Sequence, residues 1–307
     1  MHGILLLNKP AGITSFRAGN RARGWLTRVT GEKHKIGHTG TLDPMATGVL
    51  PLLTDGATRF AQFLPTHDKA YRATLQLGVT TDTLDRTGAV LRTRPVTCTR
   101  ADVEAALAQF VGEIAQLPPM YSAIRVDGVR LYERARRGEE IERKTRFVTV
   151  HSIALAAADE RAGCYTLDIA CSAGTYIRTL AADLGEVLGC GAHLTALERT
   201  QANGFALADC VTLEALEQFY DQTDTRPFDD PVPYFVPLGD ALAAYPAVCV
   251  TAAQAVRFGH GGALDRARAE SVPDGLCRIL SPDGAFLGLA NAQEDELHAV
   301  RVMRGEG

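Results

Sequence analysis

Apolar and polar positions follow several distinct rhythms along this chain. Residues 3–7 (GILLL) form an unbroken apolar run stopped by Asn8, Lys9, Pro10 and Gly12, the pattern of a buried strand. Thr14 and Ser15 offer caps for a helix over about 16–29, with Trp25 and Leu26 on its apolar side. Glycines and a proline break any regular element over 37–48 and predict a shaped loop. VLPLL then reads as a strand, and Asp55 opens a short helix holding Arg59, Phe60 and Phe63. Tyr71, Ala73, Leu75 and Leu77 alternate with their neighbours and predict a strand over 70–79. Thr99 with Asp102 signals a capped helix over about 100–111. Residues 147–156 and 164–172 read as strands, 174–189 as a turn entering an amphipathic helix, 193–200 as a strand and about 212–220 as a helix. Residues 221–239, with four prolines and four aspartates, look like a linker. Beyond it lie a short strand (247–250), a helix (251–258), a Gly-rich loop and strands near 276–280, 285–290 and 297–303. Strands and helices do not alternate as a parallel doubly wound sheet requires, so the pattern favours an α+β fold.

Length and charge sharpen this picture. A chain of 307 residues suggests two domains, or one with an appendage. No apolar run approaches the ~18 residues of a membrane-spanning helix. The apolar run at the start is too short for a secretory signal. Seven cysteines, an odd number with no C-x-x-C pair, read as reduced core thiols of a cytoplasmic protein rather than a disulfide framework or zinc site. The formal charge of −4 hides an asymmetry. Residues 1–150 hold 22 Lys and Arg against 14 Asp and Glu (+8); residues 151–307 hold 10 against 22 (−12). Seventeen of those 22 cations are arginine, whose planar fork suits phosphate. The densest stretch is 121–147, with eight cations against five acids, and its middle, VRLYERARRG, looks helical. Such a basic half fits nucleic-acid binding, and equally an uneven solvated surface.

Several familiar chemistries have no motif here. There is no phosphate-binding G-x-x-x-x-G-K-[ST] loop, no G-x-S-x-G elbow and no H-E-x-x-H, and the histidines do not cluster at ligand spacing. Neither a metal nor an organic cofactor is indicated. The segment GHTGTLDPMATG (37–48) surrounds one aspartate with small and turn-forming residues, so that Asp43 can be held rigidly while a ligand approaches closely. Taken alone, it reads more readily as a tight turn capped by Asp43, and His38 as a hydrogen-bonded structural histidine. In GTYIRT (174–179), Tyr176 and Arg178 share a side if the stretch is extended. There Arg178 can pair with a carboxylate; taken alone, it reads more readily as a surface arginine beside a core tyrosine.

Five collinear segments carry a family resemblance. GHTGTLDPMATGVLPL (37–52) resembles the catalytic motif of the TruB pseudouridine synthases, and NKPAGITS (8–15) resembles their N-terminal motif. DKAYRATLQLGVTTDTLDRTG (68–88) is similar to their tyrosine-bearing strand and loop. QLPPMYSAIRVDGVRLYERARRGEEIER (116–143) is similar to their RNA-gripping insertion, and CSAGTYIRTLAADLGEVLGCGAHLTALERT (171–200) to their arginine motif. The likeness spans residues 3–220. Two departures are Ala173, where a cation is frequent, and Asn8, where aspartate is common.

The resemblance implies an α+β fold: a mixed, largely antiparallel sheet in a pseudouridine synthase catalytic domain (1–238) with a basic insertion (about 121–147), then a small β-rich PUA-like RNA-binding domain (239–307). It implies isomerisation of uridine 55 in the T loop of tRNA by base flipping, glycosidic cleavage and re-attachment through C5. By the same likeness Asp43, Tyr71 and Arg178 are catalytic. Asp43 is the nucleophile that attacks base or sugar, or the group that takes a sugar proton; Arg178 keeps it ionised, and Tyr71 stacks on the base and is a candidate proton relay. His38 fills the space the base leaves, and Tyr176 and Leu197 line the pocket. No metal or cofactor is implied, and the partner is tRNA alone, bound by a monomer off the membrane. The competing expectation is a non-catalytic tRNA-binding or tRNA-folding protein on the same scaffold.

Overall fold

The computed structural model describes residues 1–222, 234–266 and 272–303, except positions 123, 127, 136 and 140. The chain opens with β1 (Gly3–Lys9), α1 (Ser15–Thr30), β2 (Ile36–His38) and β3 (Thr47–Thr54), then a 3-10 helix over Asp55–Phe63. Next come β4 (Lys69–Leu77), β5 (Val79–Thr81), β6 (Val90–Thr93), α2 (Arg100–Leu107) and β7 (Gly112–Gln116). A small hairpin, β8 (Arg125–Val126) and β9 (Val129–Arg130), leads to α3 (Leu131–Ala135). Then follow β10 (Arg146–Asp159), β11 (Cys164–Cys171), α4 (Ile177–Val187), β12 (Ala192–Ala202), β13 (Phe205–Ala206), β14 (Val211–Thr212) and α5 (Leu213–Gln222).

The main sheet runs β14-β1-β3-β12-β4-β11-β10-β7. Its central pairings are antiparallel except β3 with β12, and β1 with β14, so the sheet is mixed and largely antiparallel as expected. Helix α1 owes its start to Thr14, whose hydroxyl accepts from the Arg17 amide. It buries Ala18, Ala22, Trp25 and Leu26, a spacing of one helical face. Leu75 and Leu77 of β4, Leu167 and Ile169 of β11, Leu107 of α2 and Leu180 and Leu184 of α4 complete the main core.

The remaining described elements are β15 (Phe235–Pro237), α6 (Leu238–Ala241), β16 (Ala247–Cys249), α7 (Ala252–Gly259), β17 (Leu264–Asp265), β18 (Gly275–Leu280), β19 (Phe286–Gln293) and β20 (Glu296–Val302). The second sheet runs β16-β18-β19-β20-β17 around Phe258, Cys277, Ile279 and Leu297. A third cluster joins the two sheets: Ile4, Leu6, Leu53 and Phe60 meet Leu238, Leu242 and Leu289. Leu5 and Leu7 face the main core while Ile4 and Leu6 face this junction. Both faces of β1 are therefore covered, which is why GILLL reads as continuous rather than alternating.

Four expectations need correction. The stretch 221–239 is not all linker: Phe235–Pro237 pairs antiparallel with Gly3–Leu5, because its apolar residues find the open edge of β1. Residues 223–233 lie outside the described set. The helix inside the basic stretch is confined to α3, because the glycine turn before it closes the β8–β9 hairpin; Arg136 lies outside the described residues. Helix α4 already begins at Ile177, so Tyr176 and Arg178 are not on one extended strand. The cysteines are all free, but Cys249 is exposed rather than in the core, because it sits on the solvent side of a short edge strand.

Candidate active site

Asp43 lies in the loop between β2 and β3, and that loop is pinned from below. The Ser15 hydroxyl donates to the Leu42 carbonyl (3.0 Å) and accepts from the Leu42 amide (2.8 Å). Sequence reasoning offered Ser15 as a helix cap; Thr14 takes that role, and Ser15 holds the residue before Asp43. The Gly12 amide donates to the Pro44 carbonyl (2.7 Å). Buried Lys9 donates to the carbonyls of Pro10 (2.8 Å), Ile13 (2.8 Å) and Pro44 (3.4 Å), tying the N-terminal turn to the same loop. Gly48 ends the loop at φ +105°, where a Cβ would lie 2.2 Å from the Arg199 carbonyl oxygen. Only glycine permits this backbone approach of β3 to β12.

Arg178, 4% exposed, sits in the first turn of α4. Its Nε meets Asp43 Oδ2 at 2.8 Å and its Nη2 donates to Oδ1 at 3.2 Å, a two-point fork. Nη2 also donates to the Tyr121 carbonyl (2.8 Å), and Nη1 to the Thr83 carbonyl (3.0 Å). Nη1 further faces Asp85 Oδ2 at 3.8 Å. Three loops thus converge on one guanidinium. Asp85 is buried and accepts from the Thr83 hydroxyl (2.8 Å), the Thr87 hydroxyl (2.6 Å) and the Thr87 amide (2.9 Å). Asp85 was not singled out from sequence, although threonines two residues to either side are the signature of a self-bonded turn.

Asp43 is hemmed in by protein, yet a third of its side-chain surface (33%) stays open. Burial pushes its carboxyl above the ordinary value; Arg178 and Lys9 oppose this, and Asp85 adds to it. Arg178 therefore restrains the rise without abolishing it. Lys9 is pushed down to about 8, chiefly by burial, with Asp43 acting in the other direction.

Tyr71 projects from β4 beside Arg199 of β12, its direct strand partner. Burial raises the Tyr71 phenol and Arg199 opposes that rise. The phenol is thus a neutral hydroxyl near pH 7, further from a proton-accepting state than a free tyrosine. Arg199, 1% exposed, donates from Nε to the Val49 carbonyl (2.7 Å) and from Nη2 to the Gly40 carbonyl (3.1 Å), bracing both ends of the Asp43 loop. Tyr176 stands at the N-cap of α4, with its phenol raised by burial and within electrostatic reach of Arg178 and Asp43. Leu197 is buried in the same apolar cluster as Tyr71, Leu42 and Ile177. The fold thus gathers Asp43, Arg178, Tyr71 and Tyr176, while Leu197 lies in the main core. His38 ends β2, half-buried, with Arg199 rather than Asp43 as its charged neighbour; burial first, then Arg199, lowers its pKa and keeps it neutral.

Comparison with known proteins adds to this geometry. The TruB family pseudouridylate synthase N-terminal model matches residues 28–177. A tRNA pseudouridylate synthase B C-terminal model matches 178–242, and a pseudouridine synthase II TruB C-terminal model 246–303. A Burkholderia mallei protein named tRNA pseudouridine synthase B is 46% identical, covering 99% of this chain and 97% of its own length. The chain belongs to the TruB family. A Pseudomonas putida member with the same name is 44% identical over 99% of this chain and 96% of its own. Among solved structures, a chain of a Cbf5-Nop10-Gar1 complex aligns with TM-score 0.69 at 25% identity, covering 98% of this chain and 84% of that one. A chain of an H/ACA RNP bound to a substrate RNA containing 2'-deoxyuridine shares the fold at TM-score 0.69 and 22% identity, over 99% of this chain and 86% of that one. The first TruB model includes Asp43, Tyr71, Asp85 and Tyr176; the second begins at Arg178 and includes Leu197 and Arg199.

No described helix is long and apolar enough to cross a membrane.

Proposed function

We propose that this chain converts uridine to pseudouridine in tRNA, at position 55 of the T loop. The observation that carries the reading is the Asp43–Arg178 fork, its carboxylate still partly exposed, in a TruB family chain. Relatives named tRNA pseudouridine synthase B support tRNA as the substrate. The isomerisation detaches uracil from C1′, turns it and rejoins it through C5. It needs neither net hydrolysis nor redox change, and a carboxylate suffices to trap the detached species.

In this reading Asp43 acts as the nucleophile, and its ionised form is sustained by Arg178 in a site where an unpaired carboxylate would protonate. Tyr71 stacks on the flipped base, and Tyr176 and Leu197 line the pocket. His38, neutral, fills the space the base leaves. Extruding a base costs a few kcal/mol, which contacts elsewhere on the RNA must offset. The arginine-rich insertion (121–147) supplies backbone contacts without sequence readout. Residues 1–238 form the catalytic domain and 239–307 a PUA-like RNA-binding domain. The enzyme works as a cytoplasmic monomer without a protein partner.

The test is tritium release from a tRNA transcript carrying [5-³H]uridine, because isomerisation exchanges the C5 proton without changing mass. Wild type is expected to release the label, and Asp43→Asn to bind the RNA without release. A folded wild-type protein that binds tRNA and releases nothing would establish the non-catalytic RNA-folding role instead.

A further inference from the structure

Both ends of the arginine-rich insertion meet at one rung of the main sheet. The chain leaves the sheet at Gln116, the last residue of β7, and re-enters at Arg146, the residue paired with it on β10. Gln116 is 1% exposed, and its side chain turns to a distant segment. Its Oε1 accepts from the Tyr176 amide (2.9 Å) and its Nε2 donates to the Tyr176 carbonyl (3.3 Å). One side-chain amide therefore clamps the backbone of one residue at two points, sixty positions along the chain.

That residue is the N-cap of α4, and the Tyr176 side chain makes no cap of its own. A serine or aspartate at the cap would satisfy a helix N-terminus locally. Here a buried residue at the root of the insertion instead holds the cap residue's own amide and carbonyl from outside the helix. Five residues further on, the Tyr121 carbonyl accepts from Arg178 Nη2 at 2.8 Å. The segment 116–121 thus grips the start of α4 at two places, its cap residue and its arginine. A fourth bond steadies the root itself, from Arg143 Nη1 to the Pro118 carbonyl (3.0 Å).

We propose that Gln116 is a positioning residue for the reaction: it fixes the start of α4 to the root of the insertion and so ties RNA capture to the alignment of Arg178 on Asp43. This rests on the catalytic roles assigned above. A displacement of about 1 Å at a reacting group is enough to cost roughly 100-fold in rate. The Gln116 side chain bonds to Tyr176 rather than to Asp43, so its effect on the Asp43–Arg178 pair passes through α4.

The experiment is single-turnover tritium release at saturating enzyme, with RNA affinity measured in parallel by filter binding. Gln116→Leu removes both bonds at similar volume; Gln116→Glu keeps the shorter one, accepting from Tyr176. The expected result is a rate constant lowered roughly 10- to 100-fold in Gln116→Leu with RNA affinity unchanged. Gln116→Glu should fall between that variant and wild type. With enzyme in excess, a partly unfolded population leaves the saturated rate constant untouched, so a purely structural role would not produce this pattern. If the leucine variant does not fold, Gln116→Glu carries the test, with a lowered rate constant at wild-type affinity expected. A wild-type rate constant in either folded variant, or parallel loss of rate and affinity, overturns the proposal. Absence of release by wild type would instead overturn the functional reading on which it stands.

Discussion

Arg178→Lys keeps the positive charge and removes the fork. In the native site the guanidinium serves both Asp43 oxygens and the carbonyls of Thr83 and Tyr121, at 2.8–3.2 Å. A lysine ammonium is one nitrogen and cannot span these positions at once. A hydrogen bond to a charged group contributes about 1.5–3 kcal/mol. Losing one arm of the fork in the transition state therefore lowers the rate roughly 10- to 100-fold, at about 1.4 kcal/mol per factor of ten. The pH profile carries a second signature. Burial holds the Asp43 carboxyl above its ordinary value, and Arg178 is the main restraint on that rise, with Lys9 assisting and Asp85 opposing. Activity that needs the carboxylate is complete at high pH and falls as the pH drops through this raised value. A weaker restraint moves that acid limb to higher pH. Single-turnover tritium release across a pH series measures both effects. A lysine variant with the wild-type rate constant, or an acid limb that stays in place or moves down, refutes the account.

Two further outcomes follow from the same geometry. A carboxyl raised in the folded state destabilises that state once the pH exceeds the unfolded value, because ionisation is harder in the fold. Asp43→Asn is therefore expected to melt no lower than wild type near neutral pH, with the difference shrinking toward acid; a clearly lower neutral melting temperature contradicts the assignment. Gly48→Ala places a Cβ 2.2 Å from the Arg199 carbonyl oxygen at φ +105°. Strain and overpacking there cost about 2–5 kcal/mol, which a thermal melt reads directly, and a melt like wild type would show that β3 and β12 separate freely.

Local rules and a family likeness made much of this protein legible from sequence. The strands β1, β3, β4, β11 and β12 and the helices α1 and α4 follow from apolar periodicity and end signals, because each has one or two faces that must be covered. Asp43, Tyr71 and Arg178 were named through the family motifs, since a Gly-rich loop with one aspartate has no distinctive local physics. The β5–β6 hairpin and the edge strand β7 were not foreseen. They are short, and their pairing partners rather than their own pattern make them strands. The span 221–239 misled for a related reason: proline and aspartate content describes the chain locally, whereas β15 exists because β1 offers it an edge.

What the sequence by itself determined was a set of amphipathic elements, a basic first half and a rigid loop around one aspartate. These are nearest-neighbour properties, set by side-chain spacing and turn chemistry. Tertiary structure decided which groups share the site. Arg178 reaches Asp43 across 135 positions, Asp85 stands behind it, and Gln116 and Tyr121 lock the helix that carries it. It also set the electrostatics, because burial, which no local window contains, is what raises the carboxyl of Asp43 and the phenol of Tyr71.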